Sequence, residues 1–133
     1  MPALVCDTHA AVWYLLDDPR ISPKAVDVMD SVIRAGERIY VPSISLVELT
    51  YLVEKGRVPR VALERLRMVL TDASFGFRVA VLDLAVAEVL ERIPRSAVPD
   101  LPDRVIAATA VALGLPLVTR DARIREAGVE TIW

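Results

Sequence analysis

Short apolar runs alternate with helical patterns along this 133-residue sequence, and this alternation constrains the fold more than any other feature. The runs are the length of buried strands, and each is followed by a segment with the boundary signals of a helix. Strands separated by helices usually pair in parallel within one sheet. The pattern therefore predicts an α/β fold, specifically a three-layer α/β/α sandwich around a mainly parallel sheet of four to five strands.

Proline, glycine and capping residues mark the predicted element boundaries. Ser22-Pro23 is typical of a helix start, and we expect that helix to stop at Gly36. The remaining helices are expected at residues 9–16, 59–73, 84–93, 103–113 and 122–127, and a further helix contains Glu48 and runs to Gly56. Strands are expected at residues 3–6, 38–43, 79–82, 115–119 and, at an edge, 129–133. No repeat or long linker divides the chain, so we expect one domain over residues 1–133.

The composition excludes several classes of protein. The hydrophobic fraction is 54% and the mean hydropathy is +0.43, which excludes a disordered chain. The longest apolar run, residues 105–118, is interrupted by Gly114 and Pro116, and it is shorter than the roughly 20 residues that cross a membrane. No secretory signal is visible at the start, and the single cysteine, Cys6, has no partner for an internal disulfide. We expect a cytoplasmic protein without a membrane segment.

Four acidic residues follow predicted strands or lie in the first turns of helices. They are Asp7, Glu48, Asp103 and Asp121. In an open parallel sheet such positions gather at the carboxyl ends of the strands, where ligands bind. Four carboxylates in one cleft repel each other unless a cation neutralises them, so the arrangement predicts a divalent metal. Oxygen ligands suit Mg²⁺ or Mn²⁺, and the lack of a His/Cys cluster argues against zinc.

Each acid also has a structural alternative as a helix cap. Asp7 or Thr8 can cap the first helix, and Ser45-Leu46-Val47-Glu48 fits the capping-box pattern. Asp103 and Asp121 can likewise cap the helices that they precede. Four separate caps would not need to share one edge of the sheet, so the joint pattern favours a metal site.

Three neighbouring residues are candidates for a supporting role. Thr119 can hold a carboxylate in place by a hydrogen bond. His9 is the only histidine, and packing or an outer position is the favoured interpretation. Asp100 either joins the metal site or organises the turn before the helix, and we favour the turn.

The net charge of −2 does not by itself indicate a nucleic-acid partner. When the four acids of the predicted site are set aside, 14 acids remain against 16 bases. Fourteen of those bases are arginine, a side chain suited to phosphate, but the densest basic cluster is only Arg57, Arg60, Arg65 and Arg67. Charge permits a nucleic-acid partner without requiring one.

The acids and their flanking residues resemble the PIN-domain family, and within it the VapC-type toxins of toxin–antitoxin modules. The resemblance rests on Asp7-Thr8-His9, Ser45-x-x-Glu48, Asp100-x-x-Asp103-Arg104-x-x-Ala107-Ala108-Thr109-Ala110 and Val118-Thr119-x-Asp121, and it covers residues 5–133. It implies a Mg²⁺- or Mn²⁺-dependent endoribonuclease in which Asp7, Glu48, Asp103 and Asp121 form the catalytic, metal-binding quartet.

The same resemblance implies a homodimer and a small antitoxin protein that binds in a helical groove. We expect the groove between the helices of residues 45–54 and 59–70. Its predicted apolar lining is Leu46, Leu49, Leu52, Val53, Leu63, Leu66 and Val69, each of which has ordinary core packing as its alternative.

Three other functions stay open at this stage. One is an RNA-processing nuclease of the same fold without an antitoxin, and another is a catalytically silent protein-interaction domain. The third is a phospho-acceptor receiver module with Asp83 as the acceptor. It is disfavoured because the only lysines, Lys24 and Lys55, both lie early in the chain.

Overall fold

The computed structural model describes residues 2–133, which form five parallel strands and seven α-helices. The strands are β1 (Leu4–Cys6), β2 (Ile39–Pro42), β3 (Phe77–Ala80), β4 (Leu117–Val118) and β5 (Thr131–Ile132). The helices are α1 (Thr8–Leu15), α2 (Pro23–Arg34), α3 (Ser43–Glu54), α4 (Arg60–Thr71), α5 (Leu84–Val89), α6 (Leu101–Leu113) and α7 (Ala122–Glu126). Short 3₁₀ turns cover Ala73–Phe75 and Leu90–Arg92.

The sheet has the strand order β3-β2-β1-β4-β5, and every pairing is parallel. Central β1 pairs with β2 on one side, where Val5 lies opposite Tyr40. On the other side it pairs with β4, where Val5 lies opposite Leu117. All three residues of β1 are buried, as expected of a strand covered on both faces.

Helices cover both faces of the sheet. Leu4 and Cys6 of β1 pack into a core formed with α1, α2 and α4. Val5 points to the opposite face and packs with α5, α6 and α7. This alternation along one strand separates two apolar cores, and it confirms the predicted three-layer α/β/α sandwich.

Several predicted boundaries are confirmed by their capping chemistry. Ser22 caps α2 by accepting a hydrogen bond from the Ala25 amide, and Pro23 is the first residue of that helix. Gly114 ends α6 with a φ of 66°, a left-handed conformation that favours glycine.

Two predicted elements are displaced by two residues. β3 was expected at residues 79–82 but runs over Phe77–Ala80, and Phe77 pairs with Ile39. Val81 and Leu82 continue the apolar run in sequence, yet they are 66% and 45% exposed after the strand has ended. Helix α6 begins at Leu101 rather than at residue 103, because Asp100 is the residue that caps it.

The strand order places a topological switch point beside β1. The chain runs from β1 through β2 to β3 on one side, and then returns through α5 and α6 to β4 on the other side. At such a point the carboxyl ends of two neighbouring strands open a crevice in which α/β folds bind ligands. Here that crevice lies between the ends of β1 and β4.

Candidate active site

A cleft of about 500 Å³ opens at this switch point. All four predicted acids line it, together with Asp100, two arginines, His9 and two tryptophans. The full lining is Asp7, His9, Trp13, Arg20, Glu48, Asp100, Asp103, Arg120, Asp121 and Trp133. The structure thus brings together the side chains that the sequence places after separate strands and on separate helices.

Asp7 directly follows β1 and is both a cap and a cleft residue. Its Oδ1 accepts a hydrogen bond of 2.8 Å from the Ala10 amide, which caps α1. Burial raises the pKa of Asp7 above its usual value, and hydrogen bonds from the Thr119 side chain and the Ala10 backbone oppose that rise. Asp7 therefore caps α1, as the structural alternative predicted, and it also lines the cleft.

Thr119 connects the two carboxylates at the ends of β1 and β4. Its side chain is 2% exposed, and its hydroxyl accepts a hydrogen bond of 3.1 Å from the Asp121 amide while also bonding to Asp7. Asp121 itself caps α7, because its Oδ1 accepts a 2.9 Å hydrogen bond from the Arg123 amide. Thr119 therefore fixes the turn that carries Asp121 and lies beside Asp7, while its supporting role at a metal site stays a prediction.

Glu48 lies in the second turn of α3 and points into the cleft. The capping-box alternative for it is wrong, because α3 begins at Ser43 after Pro42 and has no side-chain cap. Ser45 is instead inside the first turn and fully buried, and its hydroxyl has no hydrogen-bond partner among the described residues. Glu48 therefore does not take part in capping α3.

Asp100 and Asp103 lie at the start of α6, and Asp100 rather than Asp103 is the cap. Asp100 Oδ2 accepts a 3.1 Å hydrogen bond from the Asp103 amide. Ligand oxygens of Glu48, Asp100 and Asp103 also lie within 4.8 Å of one another. Asp100 therefore organises the turn, as predicted, and in addition stands in the acidic cluster.

The carboxylates of the cleft lie close enough together to disfavour ionisation of Asp103. Burial first, and then the negative charges of Asp100, Glu48 and Asp121, together raise the pKa of Asp103 to about 7. Neither of the two salt bridges formed within residues 2–133 includes a cleft carboxylate. The protein itself therefore leaves this negative charge without a paired cation.

These donors fit a divalent cation of the oxygen-binding type. The cluster of Glu48, Asp100 and Asp103 is built from carboxylates on α3 and at the start of α6, and Cys6, the one cysteine, is buried inside β1. Carboxylate oxygens are the ligands of hard cations such as Mg²⁺, Mn²⁺ and Ca²⁺. Glu48, Asp100 and Asp103 lie close enough together to hold one such ion, whereas Asp7 and Asp121 line the same cleft but do not belong to this close group.

Four cleft residues were missed at the sequence level: Trp13, Arg20, Arg120 and Trp133. The spacing of His9 and Trp13, four residues apart on α1, is a signal that the two side chains share a helix face. Arg120 lies between Thr119 and Asp121 in the sequence, so its proximity to the site could also have been predicted. Arg20 and Trp133 carried no such signal, because their position depends on the tertiary fold.

An apolar groove of about 320 Å³ adjoins the cleft, and His9, Trp13 and Arg20 line both. The predicted groove wall is wrong in part. Leu63, Leu66 and Val69 are at most 4% exposed and belong to the core, so α4 presents little of its apolar side. Helices α1 and α3 and the segment before α4 form the groove instead, and its apolar lining is Val12, Trp13, Leu16, Leu49, Leu52, Val58 and Pro59.

A parallel α/β sandwich with a carboxylate cleft at its switch point defines a class of metal-binding α/β proteins, and the family within that class follows from comparison with known proteins. The PIN domain profile matches residues 4–130, so this chain belongs to the PIN-domain family. Its sequence is 31% identical over 125 residues to ribonuclease VapC22 of Mycobacterium tuberculosis, covering 94% of this chain and 92% of that protein.

Solved structures share the fold at lower sequence identity. The crystal structure of VapBC2 from Rickettsia felis, bound to a DNA fragment from its promoter, matches with a TM-score of 0.72 at 16% identity, covering 97% of this chain and 96% of that one. FitAcB from Neisseria gonorrhoeae matches with a TM-score of 0.65 at 24% identity, covering 96% and 95%. No helix within residues 2–133 is long and apolar enough to cross a membrane.

Proposed function

We propose that this protein is a divalent-metal-dependent endoribonuclease and the toxin of a type II toxin–antitoxin module. The observation that carries the proposal is the cleft at the switch point, where five carboxylates converge with no paired cation. Similarity to a ribonuclease over 94% of the chain supports RNA as the substrate.

In this proposal Asp7, Glu48, Asp103 and Asp121 hold Mg²⁺ or Mn²⁺, with Asp100 beside them. A divalent ion bound there polarises a phosphoryl oxygen and lowers the pKa of a bound water. The chain contributes by orienting the carboxylates: Thr119 and the Ala10 amide fix Asp7, and the cap of α6 fixes Asp103 relative to Asp100.

A small antitoxin protein is the proposed partner in the apolar groove of α1 and α3. The groove adjoins the cleft, so a helix bound in it would end beside the acidic residues. Homodimerisation belongs to the same proposal and is supported by Val47 and Tyr51 of α3, which are 64% and 54% exposed. A cytoplasmic location belongs to the same proposal, and it is supported by the proposed RNA substrate and by a lone cysteine, Cys6, that forms no disulfide within residues 2–133.

The test is cleavage of a fluorescent RNA pool by the purified protein with Mg²⁺, Mn²⁺ or EDTA, compared with an Asp7→Asn variant. Asparagine is as good a helix cap as aspartate, so this variant keeps α1 intact while removing the charge. Asp83→Asn is the matched control, since Asp83 caps α5 and does not line the cleft. We expect cleavage that needs the metal, is lost in Asp7→Asn and persists in Asp83→Asn.

Cleavage that continues unchanged in Asp7→Asn would refute the assignment of the site. A wild-type protein that neither binds Mg²⁺ or Mn²⁺ at millimolar concentration nor cuts RNA would instead support the silent interaction domain. Asp83, the acceptor in the receiver hypothesis, is bonded to the Val86 amide at 3.1 Å as a helix cap, which gives it a structural role.

A further inference from the structure

One part of the cleft wall is aromatic and basic rather than acidic. It consists of Trp13, Trp133, His9, Arg20 and Arg120. The ring centroids of Trp13 and Trp133 are 6.0 Å apart, and those of His9 and Trp13 are 5.5 Å apart. We call these five residues the aromatic–arginine wall.

Trp13 is the centre of this wall. It is only 4% exposed, and the guanidinium carbons of Arg20 and Arg120 lie 5.0 and 4.8 Å from its ring. Arginine above an indole is attracted by the ring's quadrupole, so these contacts hold the two charges in place at the cleft. A buried tryptophan thus positions side chains that are themselves partly or fully exposed.

The two arginines differ in their electrostatic state. Arg20 makes two hydrogen bonds to the carboxylate of Asp18, at 3.0 and 2.7 Å, so its charge is already paired. Arg120 is exposed and forms no salt bridge within residues 2–133. Arg120 is therefore the cation of this wall that is available to an incoming anion.

We propose that Trp133 and Arg120 form a binding subsite for an unpaired nucleotide of the RNA, beside the acidic residues; this inference rests on the proposed function. Trp133 stacks on the base, and Arg120 contacts the adjacent phosphate. Trp13 is a positioning residue, which holds both through its ring.

The chemistry of the wall selects single-stranded RNA. Unpaired bases bind proteins by stacking on aromatic side chains, whereas bases inside a duplex have no free face to offer. Trp133 is half-buried, so one part of its indole is anchored while another part is accessible. A polyanion approaching five carboxylates also needs a fixed positive charge nearby, and Arg120 supplies it within the same cleft.

The first test compares Trp133→Leu with Trp133→Phe. Phenylalanine keeps a stacking face, while leucine keeps only apolar packing. We expect Trp133→Leu to raise KM for a single-stranded RNA about tenfold, in the range reported for loss of one stacked base, with kcat changed far less. Trp133→Phe is expected to stay close to wild type. A purely structural role for Trp133 would lower the thermal midpoint and the activity of both variants together.

The second test is the salt dependence of RNA binding by Arg120→Gln, measured by fluorescence anisotropy in an Asp103→Asn background so that the RNA stays uncut. Loss of one phosphate contact should reduce the slope of log affinity against log salt by about 0.7 for a single strand. Arg34→Gln, at the end of α2 and outside the cleft lining, is the control and should leave the slope unchanged.

The outcomes separate this inference from the proposed function. Cleavage by the wild-type protein together with normal KM and salt slope in the Trp133→Leu and Arg120→Gln variants would overturn the subsite while leaving the nuclease in place. Equal losses on single-stranded and fully duplex RNA would overturn the stacking role. A wild-type protein that neither binds nor cleaves RNA overturns both proposals.

Discussion

Burial and like-charge repulsion both raise the pKa of Asp103. Both disfavour its ionised form, so its pKa rises to about 7 in the folded protein, against 3.8 as the reference value. The folded state therefore binds a proton more tightly than the unfolded state between these two pH values. Stability gained from that proton is present at low pH and is lost as the pH rises through 7.

We predict that the metal-free protein becomes more stable as the pH falls from about 7.5 to 5, by about 2 kcal/mol in the free energy of unfolding. Urea unfolding in EDTA at a series of pH values measures this. Asp103→Asn should make the free energy of unfolding depend less on pH. A smaller pH dependence should remain, because the pKa of Asp7 is also raised. Asp18, whose pKa is lowered to about 2, acts below this window and does not oppose it. A stability that increases with pH over the same range would contradict the prediction.

At the scale of elements, Arg104 links the segment after α5 to the start of α6. Its Nε donates to the Ile93 carbonyl at 2.7 Å, and its terminal nitrogen donates to the Leu90 carbonyl at 3.0 Å. Leu90 begins the 3₁₀ turn after α5 and Ile93 directly follows that turn, while Arg104 follows Asp103 in the first turn of α6. The pair of bonds therefore links the end of one helix to the start of the helix that carries the acids.

We predict that Arg104→Lys lowers the free energy of unfolding by about 1.5–3 kcal/mol, the value typical of hydrogen bonds to a charged group. Lysine keeps the charge but lacks the planar fork that reaches two carbonyls. The midpoint of urea unfolding is the measurement, and Arg95→Lys, an exposed arginine in the same connection, is the matched control. Equal midpoints for the two variants would show that the link contributes nothing.

Boundaries that carry local capping signals were predicted from sequence more accurately than boundaries that depend on strand pairing. Ser22-Pro23 and Gly114 act through local backbone chemistry, and both boundaries are confirmed. The run Val79-Ala80-Val81-Leu82 has no such local signal, and the end of β3 is set by pairing with β2. The groove prediction failed for the same reason, since an apolar helix position does not reveal whether it faces the core or solvent.

At the scale of the whole molecule, the cleft concentrates negative charge that no salt bridge within residues 2–133 neutralises. An ion that binds only the folded state stabilises it according to its concentration relative to its dissociation constant. We therefore predict that Mg²⁺ or Mn²⁺ at about 100 times this constant raises the free energy of unfolding by about 2.7 kcal/mol. Thermal unfolding with and without the ion measures the effect.

Asp103→Asn should weaken this stabilisation, whereas Asp83→Asn, which removes one acid outside the cleft, should preserve it. An unchanged thermal midpoint in the wild-type protein at millimolar metal would argue against a cation site.

The acidic half of the cleft was predictable, and the aromatic–arginine wall was not. Asp7 and Asp121 follow predicted strands, so the rule of carboxyl ends in a parallel sheet brings them together without knowledge of strand order. Trp13 and Trp133 meet only because β5 lies beside β4, which in turn lies beside β1. Such a contact depends on the order of strands across the sheet, and the sequence alone left that order open.

The pairing of β1 with β4 has a consequence for the moment at which the protein acquires its chemistry. Leu117 and Val118, the neighbours of Val5 and Cys6 in the sheet, are synthesised more than a hundred residues after them. Until that distant segment emerges, Asp7 has no Thr119 to orient it and no Asp121 beside it. A nascent chain therefore carries Asp7 through the synthesis of more than a hundred further residues while the cleft remains incomplete, so the catalytic site cannot assemble until the segment of β4 has been made.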